Sequence, residues 1–236
     1  MKIELINENP VYPFLVIDDF YDEKEQELIW QEFDFLSVNL DRLDTAVAVD
    51  KDGLRLASKY SVFLDDVYKD RRFSNVFNFY AAKIFSEEVQ EAYKDIPSCE
   101  TFFNCNRDNT LLNYYEDGDY YKPHYDAVHH SCLVWFVREP KVWSGGDFVF
   151  ADSGIKIECI HNRMTLFPSY YLHSAEPVVM KEEDKNKGLG RYSMAHFFDV
   201  FNNHGDIIRE RNNPKVALDE RKFSLNAVQQ LLSSKL

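Results

Sequence analysis

Short apolar segments with a repeat of about two residues dominate the chain from Thr110 onward, and they limit what it can fold into. Alternate side chains of an extended strand point to the same face, so this repeat is typical of strands with one buried face. Gly118, Gly145, Gly146 and Gly188 mark turns between the segments. Many short strands divided by regular turns indicate a barrel or a sandwich. The predicted strands span residues 111–115, 132–137, 148–151, 155–160, 164–167, 173–179 and 192–198.

Helices and one strand are predicted before this region. An apolar run at 11–20 predicts an opening strand, and Asp22 followed by Glu25 is typical of a capping box. Ser74 predicts the cap of a second helix that continues to about Tyr93, because apolar residues recur there every three or four positions. The predicted fold class is α+β, with helices packed outside a β core. We expect a single domain, built from an N-terminal support at 1–109, a β core at 110–200 and a C-terminal extension at 201–236.

Net charge and cysteine spacing limit the partners and the cellular location that we expect for the protein. The formal net charge of −13 opposes nonspecific binding to phosphate backbones, which depends on clustered Lys and Arg, so no nucleic acid partner is expected. The N-terminal residues do not read as a signal peptide, and no apolar stretch reaches membrane-spanning length. The four cysteines lack C-x-x-C spacing, which favours free thiols. We therefore expect a cytoplasmic protein with no membrane partner.

The segment 114–126 contains the first candidate metal ligands. His124 and Asp126 stand two positions apart on an extended segment, so their side chains could converge on one metal ion. We predict His173 as the third ligand, because the several strands predicted between Asp126 and His173 can return the chain to the same end of the barrel. Two histidines and one carboxylate leave open positions opposite, which suits ferrous iron that must also bind a cosubstrate and oxygen. His129 or His130 remains an alternative to His173.

Arg191 and Ser193 form a second pair two positions apart. A guanidinium beside a hydroxyl is a good receptor for a buried carboxylate. The charged run at 181–188 before them predicts a solvated loop between two strands, with a lid over the substrate as a second interpretation. Lys181 or Lys187 could replace Arg191 as the cation if this loop folds inward.

These motifs together resemble a known family over residues 111–198. The family is the iron(II)/2-oxoglutarate-dependent dioxygenases, and the similarity is greatest to the prolyl 4-hydroxylase branch. The motifs that carry the resemblance are, in order, Tyr115-x-x-Gly118, His124-x-Asp126, Gly145-Gly146-Asp147-Phe148, His173 and Arg191-x-Ser193.

The resemblance implies a double-stranded β-helix core of the jelly-roll or cupin type. It implies hydroxylation of a C–H bond with release of succinate and CO2, O2 as a further cosubstrate and ascorbate as the reductant. The favoured target is a prolyl residue of a peptide or protein, and the carboxylate at position 126 predicts hydroxylation and not halogenation. The implied catalytic Fe(II) ligands are His124, Asp126 and His173, and the implied 2-oxoglutarate ligands are Arg191, Ser193 and Tyr115.

Other functions remain compatible with the same residues. The same chemistry could act on a free amino acid, another small molecule or a nucleobase. A noncatalytic β-barrel binding protein, or a zinc protein with the same three ligands, is an alternative of another class. A final helix is predicted at 224–236, and it could pack on the barrel or join two copies of the chain in a homodimer.

Overall fold

The computed structural model describes residues 1–8, 12–37, 40–42, 49 and 52–200. The predicted extension 201–236, with its helix and any dimer contact made by it, lies outside these residues. The four cysteines are buried and free, as predicted. Among the described residues, no helix is long and apolar enough to cross a membrane.

The helices precede the main strands, as predicted, but the second one is divided. Asp22 and Glu25 form the predicted capping box, in which each carboxylate accepts from the backbone N–H of the other residue. The single helix predicted from Ser74 to Tyr93 is wrong, because the Ser86 side chain accepts from the Val89 N–H and caps a new helix. The described helices are α1 (Glu23–Leu36), α2 (Leu64–Val67), α3 (Asn75–Ile84), α4 (Glu87–Tyr93) and α5 (Pro97–Glu100), with 3₁₀ turns at Arg71–Phe73, Thr101–Asn104 and Glu182–Asp184.

Antiparallel strands make up most of the rest. The strand predicted at 173–179 is wrong, because it is two strands in different sheets, separated where Pro177 has no N–H to give to a ladder. The described strands are β1 (Lys2–Ile6), β2 (Phe14–Asp18), β3 (Asp41–Arg42), β4 (Ala57–Ser58), β5 (Tyr60–Phe63), β6 (Arg107–Tyr115), β7 (Tyr120–His124), β8 (His130–Phe136), β9 (Trp143–Gly145), β10 (Phe148–Phe150), β11 (Ile155–Ile157), β12 (Met164–Pro168), β13 (His173–Ala175), β14 (Val178–Met180) and β15 (Arg191–Asp199).

Two sheets face each other and helices cover the outside of the larger one. In the described residues, the larger sheet has the order β1-β2-β12-β8-β15-β6-β5-β3, the smaller one has the order β11-β10-β13-β7-β4, and β14 pairs with β9. Strand β2 contributes to both layers, since Leu15 and Ile17 pack in the cluster that includes the helices, whereas Phe14 contacts Phe150 of the smaller sheet. The predicted α+β architecture with helices outside a β core is confirmed.

Two features of this topology determine where side chains meet. Strands β6 and β15 pair along their full length, with Arg191 opposite Tyr115 at one end and Asp199 opposite Arg107 at the other. Strand β4 belongs to the smaller sheet and β5 to the larger, so the chain crosses between the sheets at Lys59. One end of the sandwich therefore receives side chains from both sheets and from the crossing.

Candidate active site

The three predicted metal ligands meet at this end of the sandwich. His124 ends β7 and His173 begins β13, and the two residues lie opposite each other in register. Together with Asp126 they bring ligand atoms that all lie within 4.8 Å of one another. Asp126 lies beyond the strand end, so its direction comes from other contacts: its N–H donates to Ser169 O at 3.3 Å and its carboxylate accepts from Ser131 Oγ at 2.5 Å.

The proton on each imidazole points away from the cluster. The Nδ1 atom of His124 lies 2.8 Å from the Lys122 carbonyl oxygen, and that of His173 lies 2.8 Å from the Tyr171 carbonyl oxygen. A carbonyl oxygen can only accept, so each Nδ1 donates and each Nε2 is the ring nitrogen that faces the cluster. The two Nε2 atoms lie 3.6 and 3.3 Å from the Asp126 carboxylate. Two imidazole nitrogens and a carboxylate that face one another fit a divalent cation.

Burial and hydrogen bonding set the charges of the cluster. Burial lowers the pKa of His124 to about 3, and the neighbouring His173 acts in the same direction, so the His124 imidazole is neutral at pH 7. Burial acts to raise the pKa of Asp126, but the imidazole of His173 and the hydroxyl of Ser131 outweigh it and the pKa is about 2. A neutral imidazole and an ionised carboxylate are the protonation states that metal binding requires.

Arg191, Ser193 and Tyr115 line the same cavity as the cluster. Arg191 is only 2% exposed, and its guanidinium carbon lies 4.6 Å from the centre of the Tyr115 ring. The Arg191 Nε donates to Cys159 Sγ at 3.3 Å, whereas its buried Nη1 has no hydrogen-bond partner in the described structure. Buried donors are nearly always paired, so an unpaired guanidinium N–H beside a cavity fits a carboxylate ligand.

Gly146 makes room for this guanidinium. A Cβ atom at Gly146 would lie 3.0 Å from Arg191 Cδ, and its φ of +69° is one that glycine adopts without strain. The Gly146 carbonyl also accepts from Cys159 Sγ at 3.1 Å. The glycine pair singled out in the sequence therefore permits close packing behind the cavity.

The alternative residues left open by the sequence lie outside the cluster. His129 pairs with Asp199, and the Nε2 of buried His130 lies 3.2 Å from a backbone carbonyl oxygen. Lys181 and Lys187 are exposed, and Lys185 holds the 181–188 loop to Asp117 at 2.9 Å. Arg191 is therefore the cation that this region of the chain presents to the cavity.

Asn113 and Tyr121 line the cavity but were not predicted as site residues. The Tyr121 ring stacks on the His124 imidazole with ring centres 3.5 Å apart. Asn113 lies two positions before Tyr115 on β6, and its buried Oδ1 has no partner in the described structure. The alternation on β6 was the signal that could have identified Asn113, since residues two apart share a face.

Lys59 is a further cavity residue that was not predicted. It is 4% exposed, and its Nζ lies 4.6 Å from the centre of the Tyr121 ring. Burial lowers the pKa of Lys59 to about 7, a shift that Asp126 opposes and Arg191 reinforces. No local pattern marks this residue, because the pairing of β4 and β5 with two different sheets places it there.

A larger cleft adjoins the metal cluster. The cavity described above has a volume of about 50 Å³, and the cleft beside it has about 500 Å³. Tyr121, Asp126 and Phe197 line both, and exposed Tyr125 lines the cleft. Its size is within the range of small-ligand sites, so a molecule in the cleft could approach the cluster from the side.

The fold and the site define a class of protein: a sandwich of antiparallel sheets in which two histidines and one carboxylate form a cluster suited to a metal, beside a buried guanidinium with one unpaired nitrogen. Residues 110–199 match the family model described as the 2OG-Fe(II) oxygenase superfamily. The resemblance predicted from the motifs is therefore confirmed over this segment. No curated protein matches the chain.

Solved structures of low identity share the fold. A prolyl-4-hydroxylase from Pseudomonas putida matches with a TM-score of 0.56 and 14% identity over 80% of this chain and 93% of that chain. A prolyl hydroxylase from Trichoplax adhaerens, solved with a peptide fragment of the hypoxia inducible factor oxygen degradation domain, matches with a TM-score of 0.55 and 15% identity over 79% of this chain and 83% of that chain. These similarities confirm the predicted double-stranded β-helix fold.

The family implies Fe(II), 2-oxoglutarate and O2. The inward-facing Nε2 atoms and the Asp126 carboxylate fit the metal, and the unpaired Nη1 of Arg191 fits a carboxylate of 2-oxoglutarate.

Proposed function

We propose that the chain is an Fe(II)- and 2-oxoglutarate-dependent dioxygenase that hydroxylates a C–H bond, with a prolyl residue of a peptide or protein as the favoured target. The supporting observation is that a cluster suited to a divalent metal and the unpaired Nη1 of Arg191 line one cavity. The single domain would include the N-terminal support, whose helices pack on the larger sheet.

The proposed metal ligands are His124, Asp126 and His173. Backbone carbonyls hold the two imidazoles with Nε2 toward the metal position, and the Ser131 hydroxyl orients the Asp126 carboxylate. These three ligands would occupy one side of the ion and leave the other side open. Because Asp126 fills the carboxylate position, no place is vacated for a halide, which favours hydroxylation.

The proposed cosubstrate ligands lie at the other end of the cavity. Arg191 would bind the distal carboxylate of 2-oxoglutarate, with Ser193 and Tyr115 as hydrogen-bonding partners. When bound, the metal, 2-oxoglutarate and O2 supply the oxidising chemistry that converts C–H to C–OH and yields succinate and CO2. Ascorbate is the proposed reductant that keeps the iron ferrous.

The adjoining cleft supports a peptide as the substrate. Its volume of about 500 Å³ exceeds that of the metal-site cavity, and the Trichoplax protein of the same fold was solved with a peptide. A free amino acid or another small molecule is the second candidate, because the cleft volume is also typical of small-ligand sites.

Succinate formation tests the proposal. Protein loaded with Fe(II) without oxygen is mixed with 2-oxoglutarate and then with O2. We expect succinate from the wild type and a loss of about a thousandfold or more in His124→Ala and Asp126→Ala, because a catalytic metal contributes several kcal/mol. His129→Ala is the matched control and should keep activity. Undiminished succinate from Asp126→Ala would overturn the ligand set, and metal binding without succinate in the wild type would favour a noncatalytic protein.

Mass spectrometry tests the target. A peptide that contains proline, its alanine counterpart and free proline are each incubated with the active wild type. We expect the gain of one oxygen atom on the prolyl peptide alone. A gain on free proline without one on the peptide would favour the small-molecule alternative.

A further inference from the structure

Lys59 is a buried cation for which the proposed reaction has no use. Its Nζ lies 4.6 Å from the centre of the Tyr121 ring and 5.9 Å from that of the Tyr115 ring. No described carboxylate forms a hydrogen bond or an ion pair with it, and Asp126 acts on it only through the longer-range field. Aromatic faces compensate a buried ammonium only in part, so an unpaired lysine here disfavours folding. A ligand that supplies the missing negative charge would explain why the site contains it.

The charges of the proposed complex are balanced without Lys59. The two positive charges of a ferrous ion and the single one of Arg191 are matched by Asp126 and by the two carboxylates of 2-oxoglutarate. When Lys59 is protonated, its ammonium adds one positive charge that no group of the cavity matches, and an anion bound beside it would favour that protonated form. Buried charges are normally paired, which points to a further anion.

The position of Lys59 indicates which molecule brings that anion. Tyr121, which lies under the Lys59 ammonium, also stacks on the metal-cluster residue His124 and lines the larger cleft. The Lys59 Nζ lies nearer to this ring than to the ring of Tyr115, on which the Arg191 guanidinium packs at the cosubstrate end. The reacting C–H bond of a substrate must reach the metal, so the substrate must enter the cavity at the end where Lys59 lies.

We propose that Lys59 binds a carboxylate of the primary substrate. The substrate is then an acid that places its anionic group beside Tyr121 while its reacting C–H bond lies at the metal. A free carboxylic acid, a C-terminal residue and an acidic side chain share this chemistry. The inference rests on the proposed dioxygenase function and adds the substrate class to it.

Acetate is the probe for this site, with acetamide as its uncharged counterpart. The protein is loaded with Mn(II) and saturated with 2-oxoglutarate in the absence of O2, and the paramagnetic relaxation of the probe's methyl protons is followed. We expect saturable relaxation of acetate in the millimolar range and none of acetamide. Lys59→Met should weaken acetate binding by about tenfold or more, the size expected for a hydrogen bond to a charged group, whereas Lys59→Arg should retain it.

Calorimetric titration of 2-oxoglutarate separates the two carboxylate sources. Lys59→Met should bind 2-oxoglutarate as the wild type does, whereas Arg191→Met should bind it more weakly. A loss in Lys59→Met equal to that in Arg191→Met would overturn the proposal, because Lys59 would then serve the cosubstrate. Identical acetate curves for wild type and Lys59→Met, or no acetate binding by the wild type, would also overturn it. A wild type that binds metal but no 2-oxoglutarate refutes the proposed function itself, before acetate is added.

Urea denaturation shows whether Lys59 has a merely structural role. Removing an unpaired buried charge should keep or raise the midpoint in Lys59→Met. A large fall in the midpoint of both Lys59→Met and Lys59→Gln would mean that the lysine supports the fold, and it would count against a ligand-binding role.

Discussion

The pair of strands β6 and β15 has a buried polar cluster at each end, and the two clusters differ in how their charges are matched. At the end distant from the candidate metal centre, Arg71 forms ion pairs with Asp65 at 2.7 Å and with Asp108 at 2.6 Å. Next to this ion network, Thr110 Oγ1 lies 2.9 Å from Nδ1 of His196. The cation at this end has its anions within the protein.

The opposite end of the same strands has cations without anions. Arg191 and Lys59 are more deeply buried than Arg71, yet neither forms an ion pair with a carboxylate among the described residues. Both line the cavity of the metal cluster, which Arg71 does not, whereas Asp108 of the Arg71 network lines the adjoining cleft with its charge already paired. Burial alone therefore does not identify a functional charged residue. A buried charge that lacks a counterion and faces a cavity is the better indication of a binding site.

Removing the cation at each end should separate stability from binding. Arg71→Met leaves Asp65 and Asp108 buried without their partner and should lower the free energy of unfolding by about 3–5 kcal/mol. Arg191→Met removes a cation that has no counterion, so the free energy of unfolding should stay within about 1 kcal/mol while 2-oxoglutarate binds about tenfold to a hundredfold more weakly. Urea denaturation and calorimetric titration measure the two effects. Equal loss of unfolding free energy in Arg71→Met and Arg191→Met would contradict the proposed difference between the two ends.

Stabilisation of the folded chain by a metal ion should depend on residues at the metal-cluster end and not on residues at the distant end. Mn(II) at about 100 times its dissociation constant should raise the free energy of unfolding of the wild type by about 2.7 kcal/mol, since only the folded chain presents the cluster. His173→Gln should lose this gain. His196→Gln, at the distant end, should keep the gain even if its own stability is lower. Thermal unfolding with and without Mn(II) provides the measurement, and a metal-dependent gain in His173→Gln would contradict the ligand assignment.

His196, at the distant end, should make the free energy of unfolding fall at acidic pH. Burial, and then the nearby Arg71, lowers the pKa of His196 to about 3, so the folded state excludes a proton that the unfolded chain accepts below about pH 6.5. The contribution of His196 to the free energy of unfolding is fully present above pH 6.5 and is lost as the pH falls toward 3. The free energy of unfolding should change there by up to about 1.4 kcal/mol per pH unit. Unfolding of metal-free wild type and His196→Asn at several pH values should show a smaller slope for the variant. Parallel curves would show that His196 does not contribute.

The smallest effects should come from the hydroxyls. Thr110→Val keeps the shape but leaves the His196 Nδ1 without its partner, and should cost about 1 kcal/mol of unfolding free energy. Ser193→Ala should change stability by less than about 0.5 kcal/mol, because no hydrogen bond of its side chain is present in the described structure, and should weaken 2-oxoglutarate binding several-fold. A stability loss from Ser193→Ala as large as that from Thr110→Val would contradict the comparison.

Features set by neighbouring residues could be predicted from the sequence. The Asp22 cap of α1 needs only a residue three positions on, and the spacing of His124 and Asp126 is two. The cap at Ser86 was also a local signal, but the apolar repeat continues across it, so the repeat alone indicated one long helix.

Features set by distant pairing could not be predicted in this way. Lys59 faces the metal cluster because β4 and β5 join different sheets, and no pattern near residue 59 records that crossing. Asp126 turns inward because Ser131 and Ser169 bond to it, and not because of strand alternation. The fold class and the three ligands were therefore within reach of sequence patterns, whereas the charge environment around them depends on tertiary contacts.

The nine-residue ladder between β6 and β15 links the two ends in a further way. If one strand slipped by a single position, every side chain along it would turn to the opposite face, and Tyr192 would replace Arg191 at the cavity. The Arg71 ion network holds Asp108 near one end of this ladder. A slip of β15 would also break the contact between Thr110 of β6 and His196 of β15 beside this network, so a buried polar pair at one end favours the register that points the guanidinium inward at the other.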